Sequence, residues 1–134
     1  MNKQTIYKIV IGPFAVAIFH IIATVVGWYE MFWWFDIPMH FLGGVVTAYS
    51  SYAMLRYFES KGQYKVTWKP LHILLLLGLV SMTAVSWEFM EYAFDLFFQT
   101  HMQAGIMDTL KDICMGFIGG GLVALVTTYL PSKK

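Results

Sequence analysis

The chain has 134 residues, 58% of them hydrophobic and 13% charged, with a net charge of +1 and a mean hydropathy of +0.60. A soluble domain carries about 25% charged residues, so the composition excludes an ordinary water-soluble fold, and the near-neutral balance gives no argument for nucleic acid or a broadly acidic partner. The length holds one domain, residues 1–134, with no room for a separate soluble catalytic part, and the lone Cys114 excludes an intramolecular disulfide.

Apolar runs of about 20 residues, enough to cross a bilayer as a helix, mark four elements. The first covers about residues 6–26 and leads into an aromatic cluster of Trp28, Tyr29, Phe32, Trp33 and Trp34, as expected of an interfacial belt. No small-x-small cleavage site follows it, so it is expected to stay in place as a helix rather than be removed as a leader. The second begins after Asp36 and covers about residues 37–57. A third, at about residues 71–98, is longer than a bilayer requires, so it tilts or its last turns emerge. The fourth, at about residues 109–130, is stopped by Pro131, which cannot continue a helix.

Charge orients these runs. Lys3 and Lys8 precede the first; Arg56, Lys61, Lys65 and Lys69 join the second to the third; Lys133 and Lys134 close the chain. The positive-inside rule puts both termini and the middle loop in the cytoplasm. Glu30, Asp36, Glu88, Glu91, Asp95, Asp108 and Asp112 all fall on the other side, joined by a single cation, Lys111. The expected architecture is therefore an all-α, four-helix transmembrane bundle, N-in/C-in, in the plasma (inner) membrane.

Three helix ends on that outer side carry ionisable groups on one face. The second run offers Asp36 and His40, the third Glu88, Glu91 and Asp95, and the fourth Asp108 and Asp112, at i,i+3, i,i+4 or i,i+7 spacings. At ~1.5 Å per residue Glu88 lies ~25 Å from Leu71, near the outer edge of a ~30 Å core. Gly43, Gly44 and Thr47 continue the first stripe, and Gly116, Gly119 and Gly120 continue the last. Small residues mark close helix contact, so the carboxylates are expected to face the bundle interior. His20 is at a depth to join them.

Simpler roles compete. Asp36 and Asp108 stand where helices begin and would serve as N-caps. Asp95 and His101 suit a wet loop, Glu30 an exposed one, and His72 the cytoplasmic interface, while the glycine and methionine stripes suit packing. Capping does not account for His40, Glu88, Glu91 or Asp112, which lie inside apolar helices where each costs a few kcal/mol. Asp36, Glu88, Glu91, Asp108 and Asp112 cannot all ionise close together without compensation, and Lys111 is one charge set one position off the acidic face. Either a divalent cation or shared protons must compensate. Carboxylates with imidazole suit Zn, Mn or Fe, and carboxylates alone suit Mg or Ca. The ligand types favour a metal held by Asp36, His40, Glu88, Glu91, Asp108 and Asp112, as bundles do with facing carboxylates and histidines. No organic cofactor is expected.

The order D-x-x-x-H-F-x-x-G, W-E-x-x-E, D-T-x-x-D-x-x-x-G is carried by Asp36, His40, Phe41 and Gly44, by Trp87, Glu88 and Glu91, and by Asp108, Thr109, Asp112 and Gly116. It resembles the YjdF-like group of small bacterial inner-membrane proteins, which is distantly similar to the VanZ-like family. VanZ-like proteins are linked to glycopeptide resistance and the cell envelope, so the resemblance implies an envelope-lipid role.

Three functions fit these expectations. A metal-assisted hydrolase or transferase acting on membrane lipid or an envelope precursor would use the cluster as ligands, with Glu88 or Glu91 as the catalytic base. A proton-coupled or cation-transporting subunit, homo-oligomeric because four helices enclose little pathway, would use it as a relay. It would need polar groups that continue across, whereas runs such as Leu74–Leu77 and Leu122–Leu125 are apolar. A non-catalytic scaffold would use it to fix helix packing.

Overall fold

The basic opening and the apolar run behind it fold into one helix, α1 (Lys3–Val26). Pro13 lies within it, a breaker that apolar spans tolerate where neighbours satisfy the freed carbonyl. Gly27 ends α1 at φ +78°, a left-handed conformation that costs glycine little, and the chain turns into the single-turn α2 (Trp28–Met31). The aromatic cluster there is a packed corner as well as a belt. The Phe35 ring lies 5.5 Å from Trp28, 5.2 Å from Tyr29 and 6.1 Å from Phe19, centroid to centroid.

Three long helices follow: α3 (Asp36–Ser60), α4 (Lys69–Phe98) and α5 (Ile106–Tyr129). The computed structural model describes residues 3–130, so Pro131, Lys133 and Lys134 lie outside the described residues. Among those described, the protein is all-α with five helices.

Three of the helices, α1, α4 and α5, are long and apolar enough to cross a membrane. Their outward residues are apolar too, with Val25 81%, Met82 70% and Phe97 75% exposed, a surface suited to lipid rather than water. α3 has the length but not the apolar content, so of the four expected spans composition marks three. Its position explains the difference. α3 is the central helix, packed most extensively on α5 and also on α1 and α4, and its Ser50 and Ser51 are buried within the protein.

The α3–α5 seam is the closest contact. A Cβ on Gly44 would fall 2.0 Å from the Gly116 carbonyl oxygen, and one on Gly119 would fall 2.2 Å from that of Phe41. The two backbones therefore touch, which only glycine permits. Gly120 similarly receives Val80 of α4, whose Cγ2 is 2.8 Å from the ideal Cβ position. Gly43, one residue before Gly44, has nothing within 4 Å of its Cβ position. At the end away from the carboxylates, Leu55, Leu76 and Ala124 form a small core covered by Tyr52, Tyr64 and Ile73.

These adjacent glycines make opposite predictions. Gly44→Ala and Gly119→Ala must push α3 and α5 apart, at a cost of about 1–3 kcal/mol or more, and lower the thermal midpoint of the detergent-solubilised protein. Gly43→Ala meets open space and gains up to about 1 kcal/mol of helix propensity, so its midpoint holds or rises. Equal midpoints for Gly43→Ala and Gly44→Ala would contradict the seam.

Candidate functional site: a histidine between four carboxylates

The seam determines which polar groups meet. Asp36 opens α3 and His40 follows one turn later, so the two side chains stack on one face, Nε2 of His40 lying 3.1 Å from Asp36 Oδ1. α5, held against α3 by its glycines, brings Asp112 alongside, 2% exposed. α4 contributes Glu88 and Glu91, i,i+3 on its inner face and both buried. The second His40 nitrogen, Nδ1, faces Glu88 Oε1 at 3.8 Å.

His40 is thus the member common to two sets. Ligand atoms of Asp36, His40 and Asp112 lie within 4.8 Å of one another, and so do those of His40, Glu88 and Glu91. Outer partners orient part of each set. Trp87 Nε1–H donates to Glu91 Oε1 at 2.7 Å. The Trp87 ring also meets His20 edge-on at 4.8 Å, and His20 Nδ1 shares a 2.7 Å hydrogen bond with Tyr29 OH. Lys111 pairs with Asp108 and sends its ammonium to within 3.5 Å of Asp112 Oδ1 and 3.7 Å of Asp36 Oδ2.

Two buried carboxylate oxygens, Glu88 Oε1 and Asp112 Oδ1, have no hydrogen-bond partner. Burying an acceptor unpaired is costly. The 3.8 Å between Glu88 Oε1 and His40 Nδ1 is too long for a hydrogen bond. Two ligand atoms that each bind a zinc-like ion at about 2.0–2.2 Å lie at most ~4.2 Å apart, so the separation accommodates one. Four carboxylates, with Lys111 as the nearby ammonium among the described residues, leave an excess of negative charge that a divalent cation would offset.

Asp36, His40, Glu88, Glu91 and Asp112 converge here, whereas Asp108 belongs to neither set and instead holds Lys111. Neither Asp36 nor Asp108 is an N-cap. Those positions are Phe35 and Gly105, and both aspartates stand within the first turn, where negative charge still suits the helix N-terminus. Asp95 braces a loop, accepting from the Thr100 hydroxyl (2.6 Å) and from the backbone N–H groups of Met102 (2.8 Å) and Gln103 (2.9 Å). His72 pairs with Tyr64 near the start of α4, away from the cluster, and Glu30 and His101 are exposed. Lys111 reaches a face that its helical position alone does not, because its four-carbon stem swings round. Trp87 was legible from spacing, lying one turn before Glu91 on the same face, and Tyr29 became visible only once α2 folded back.

Asp95→Ala releases three donors at once, so the segment between α4 and α5 is expected to be cleaved several-fold faster by protease, with the fold of α3 and α5 intact by circular dichroism. An unchanged cleavage rate would show that the loop is held by something else.

No curated protein and no solved structure matches the chain. Residues 4–133 match the family described as predicted membrane protein (DUF2238). That stretch takes in all three apolar helices and every member of the cluster, so the chain belongs to the DUF2238 family of predicted membrane proteins.

Proposed function

We propose that this protein holds a divalent cation in the His40 cluster, close to the extracytoplasmic face of the inner membrane, and uses it to act on membrane lipid or an envelope precursor. The observation that carries the proposal is the pair of ligand atoms His40 Nδ1 and Glu88 Oε1. They lie 3.8 Å apart, and the carboxylate oxygen is buried without a partner. Glu91 completes this set, held by Trp87. Asp36 then accepts from the opposite ring nitrogen of His40 and fixes its tautomer, the usual outer partner of a metal-bound histidine. Asp112, whose Oδ1 likewise has no hydrogen-bond partner, is the candidate fourth ligand or the base. A bound cation would activate water or polarise a phosphoryl or acyl oxygen.

The lysine distribution supports an N-in/C-in topology in which α3 also crosses, shielded by its neighbours. The order of the three motifs supports kinship with YjdF-like and, more distantly, VanZ-like proteins. Transport through a single chain is disfavoured, because the α3–α5 seam is closed by backbone contact and Leu76 and Ala124 are fully buried in the core at the opposite end.

Elemental analysis of protein purified without chelator tests the proposal. Near-stoichiometric metal is expected in the wild type and loss of most of it in His40→Ala and Glu88→Gln, each still folded. Lys111→Met, which removes a competing cation, should retain metal at least as well through chelator washes. Metal-free wild-type protein that is stable and does not take up zinc or manganese would overturn the proposal.

A further inference from the structure

Directly below the cluster lies a cavity of about 130 Å³ walled by α1, α3 and α4, with Gly116 of α5 at its edge. His20, His40 and Trp87 line its cluster end. Beyond them the lining is mainly apolar, with Val16 on the α1 wall and Val80 on the α4 wall, and Gly43 leaves the α3 floor open. Two threonines also line it, Thr47 and Thr83, and the Thr83 hydroxyl donates to the Leu79 carbonyl. From His40 to Thr47 the floor runs ~10 Å along the helix.

The cavity exists because α1 leans on α3 while the backbones of α1 and α4 hardly approach each other among the described residues. The His20–Trp87 contact bridges that gap only at the cluster end. Below it α1 and α4, both apolar enough to cross a membrane, have few backbone contacts to close the slot between them. A way in from the lipid-facing surface would run through that gap. Apolar walls offer water no partners, and a polar end joined to an apolar slot matches the polarity of an amphiphile.

We propose that this slot takes one hydrocarbon chain of a membrane lipid, which enters between α1 and α4 and brings the lipid's polar end to His40. The proposal rests on the reading of the cluster as a metal-holding site that acts on lipid, and it narrows the substrate to one whose chain lies beside its reacting group. Gly43 is the residue that keeps the floor clear. A Cβ there meets nothing within 4 Å, so a larger side chain would extend into the slot.

The test is photolabelling in phosphatidylethanolamine–phosphatidylglycerol vesicles doped with a phospholipid that carries a mid-chain diazirine. Adducts are mapped by mass spectrometry, and metal content is measured on the same samples. In the wild type, adducts are expected on slot residues such as Val80 and Val16. In Gly43→Leu they should fall about tenfold or more, the worth of a few displaced methylenes, with metal content unchanged. Gly78→Leu, which also meets open space but lies outside the slot, should label like the wild type. Ala17→Phe fills the slot from the α1 wall and should repeat the loss if Gly43→Leu folds poorly. Wild-type adducts confined to outward residues such as Met82 and Phe89, or slot labelling that survives both filling variants, would overturn the proposal. Slot labelling lost on filling in a protein that binds no metal would support the slot and sink the metal reading alone.

Discussion

The backbone contact between α3 and α5 is the constraint on which the rest of this structure depends. Gly44 against Gly116, and Gly119 against Phe41, let two helices approach until carbonyl oxygens occupy the space where a Cβ would be. No hydrophobic force favours helix association in lipid, so such close packing is what remains to hold a bundle together. It has a chemical consequence one and two turns further along, where Asp112 of α5 is carried to Asp36 and His40 of α3. A side chain at Gly44 or Gly119 would loosen the fold and the cluster together.

His40 is the pivot of that cluster. One ring nitrogen engages Asp36 of α3 and the other looks towards Glu88 of α4, with Asp112 of α5 beside the first pair. A purely structural network would be expected to pair its buried oxygens, and here Glu88 and Asp112 each leave one unpaired. Lys111 offsets part of the charge on the Asp36 and Asp112 side, and nothing comparable faces Glu88 and Glu91 among the described residues. The side with the least compensation is the one where the ligand atoms stand at a separation suited to an ion.

Much of this was legible in the sequence, for reasons that differ by residue. Apolar length alone located α1, α4 and α5, because a helix in lipid must satisfy its own backbone and therefore needs a long uninterrupted run. α3 was legible by length and motif but not by apolarity, since a helix enclosed by three others is released from the demand to be apolar. The convergence of Asp36, His40, Glu88, Glu91 and Asp112 followed from helical spacing and a common depth. The exclusion of Asp108 did not, because it depends on which way Lys111 swings. The two glycines at 43 and 44 look alike in sequence, yet a Cβ at 44 would fall 2.0 Å from a backbone oxygen of α5 and one at 43 meets nothing within 4 Å. Gly44 faces α5 and Gly43, one position round the helix, borders the cavity.

A cation bound between His40 and the buried glutamates is what the proposed function most requires. X-ray absorption at the metal edge of zinc-loaded, detergent-solubilised protein tests this directly. A shell containing one imidazole nitrogen and carboxylate oxygens at about 2.0–2.2 Å is expected, with the imidazole signal lost in His40→Ala. A shell of water and carboxylate oxygens with no histidine contribution would contradict it.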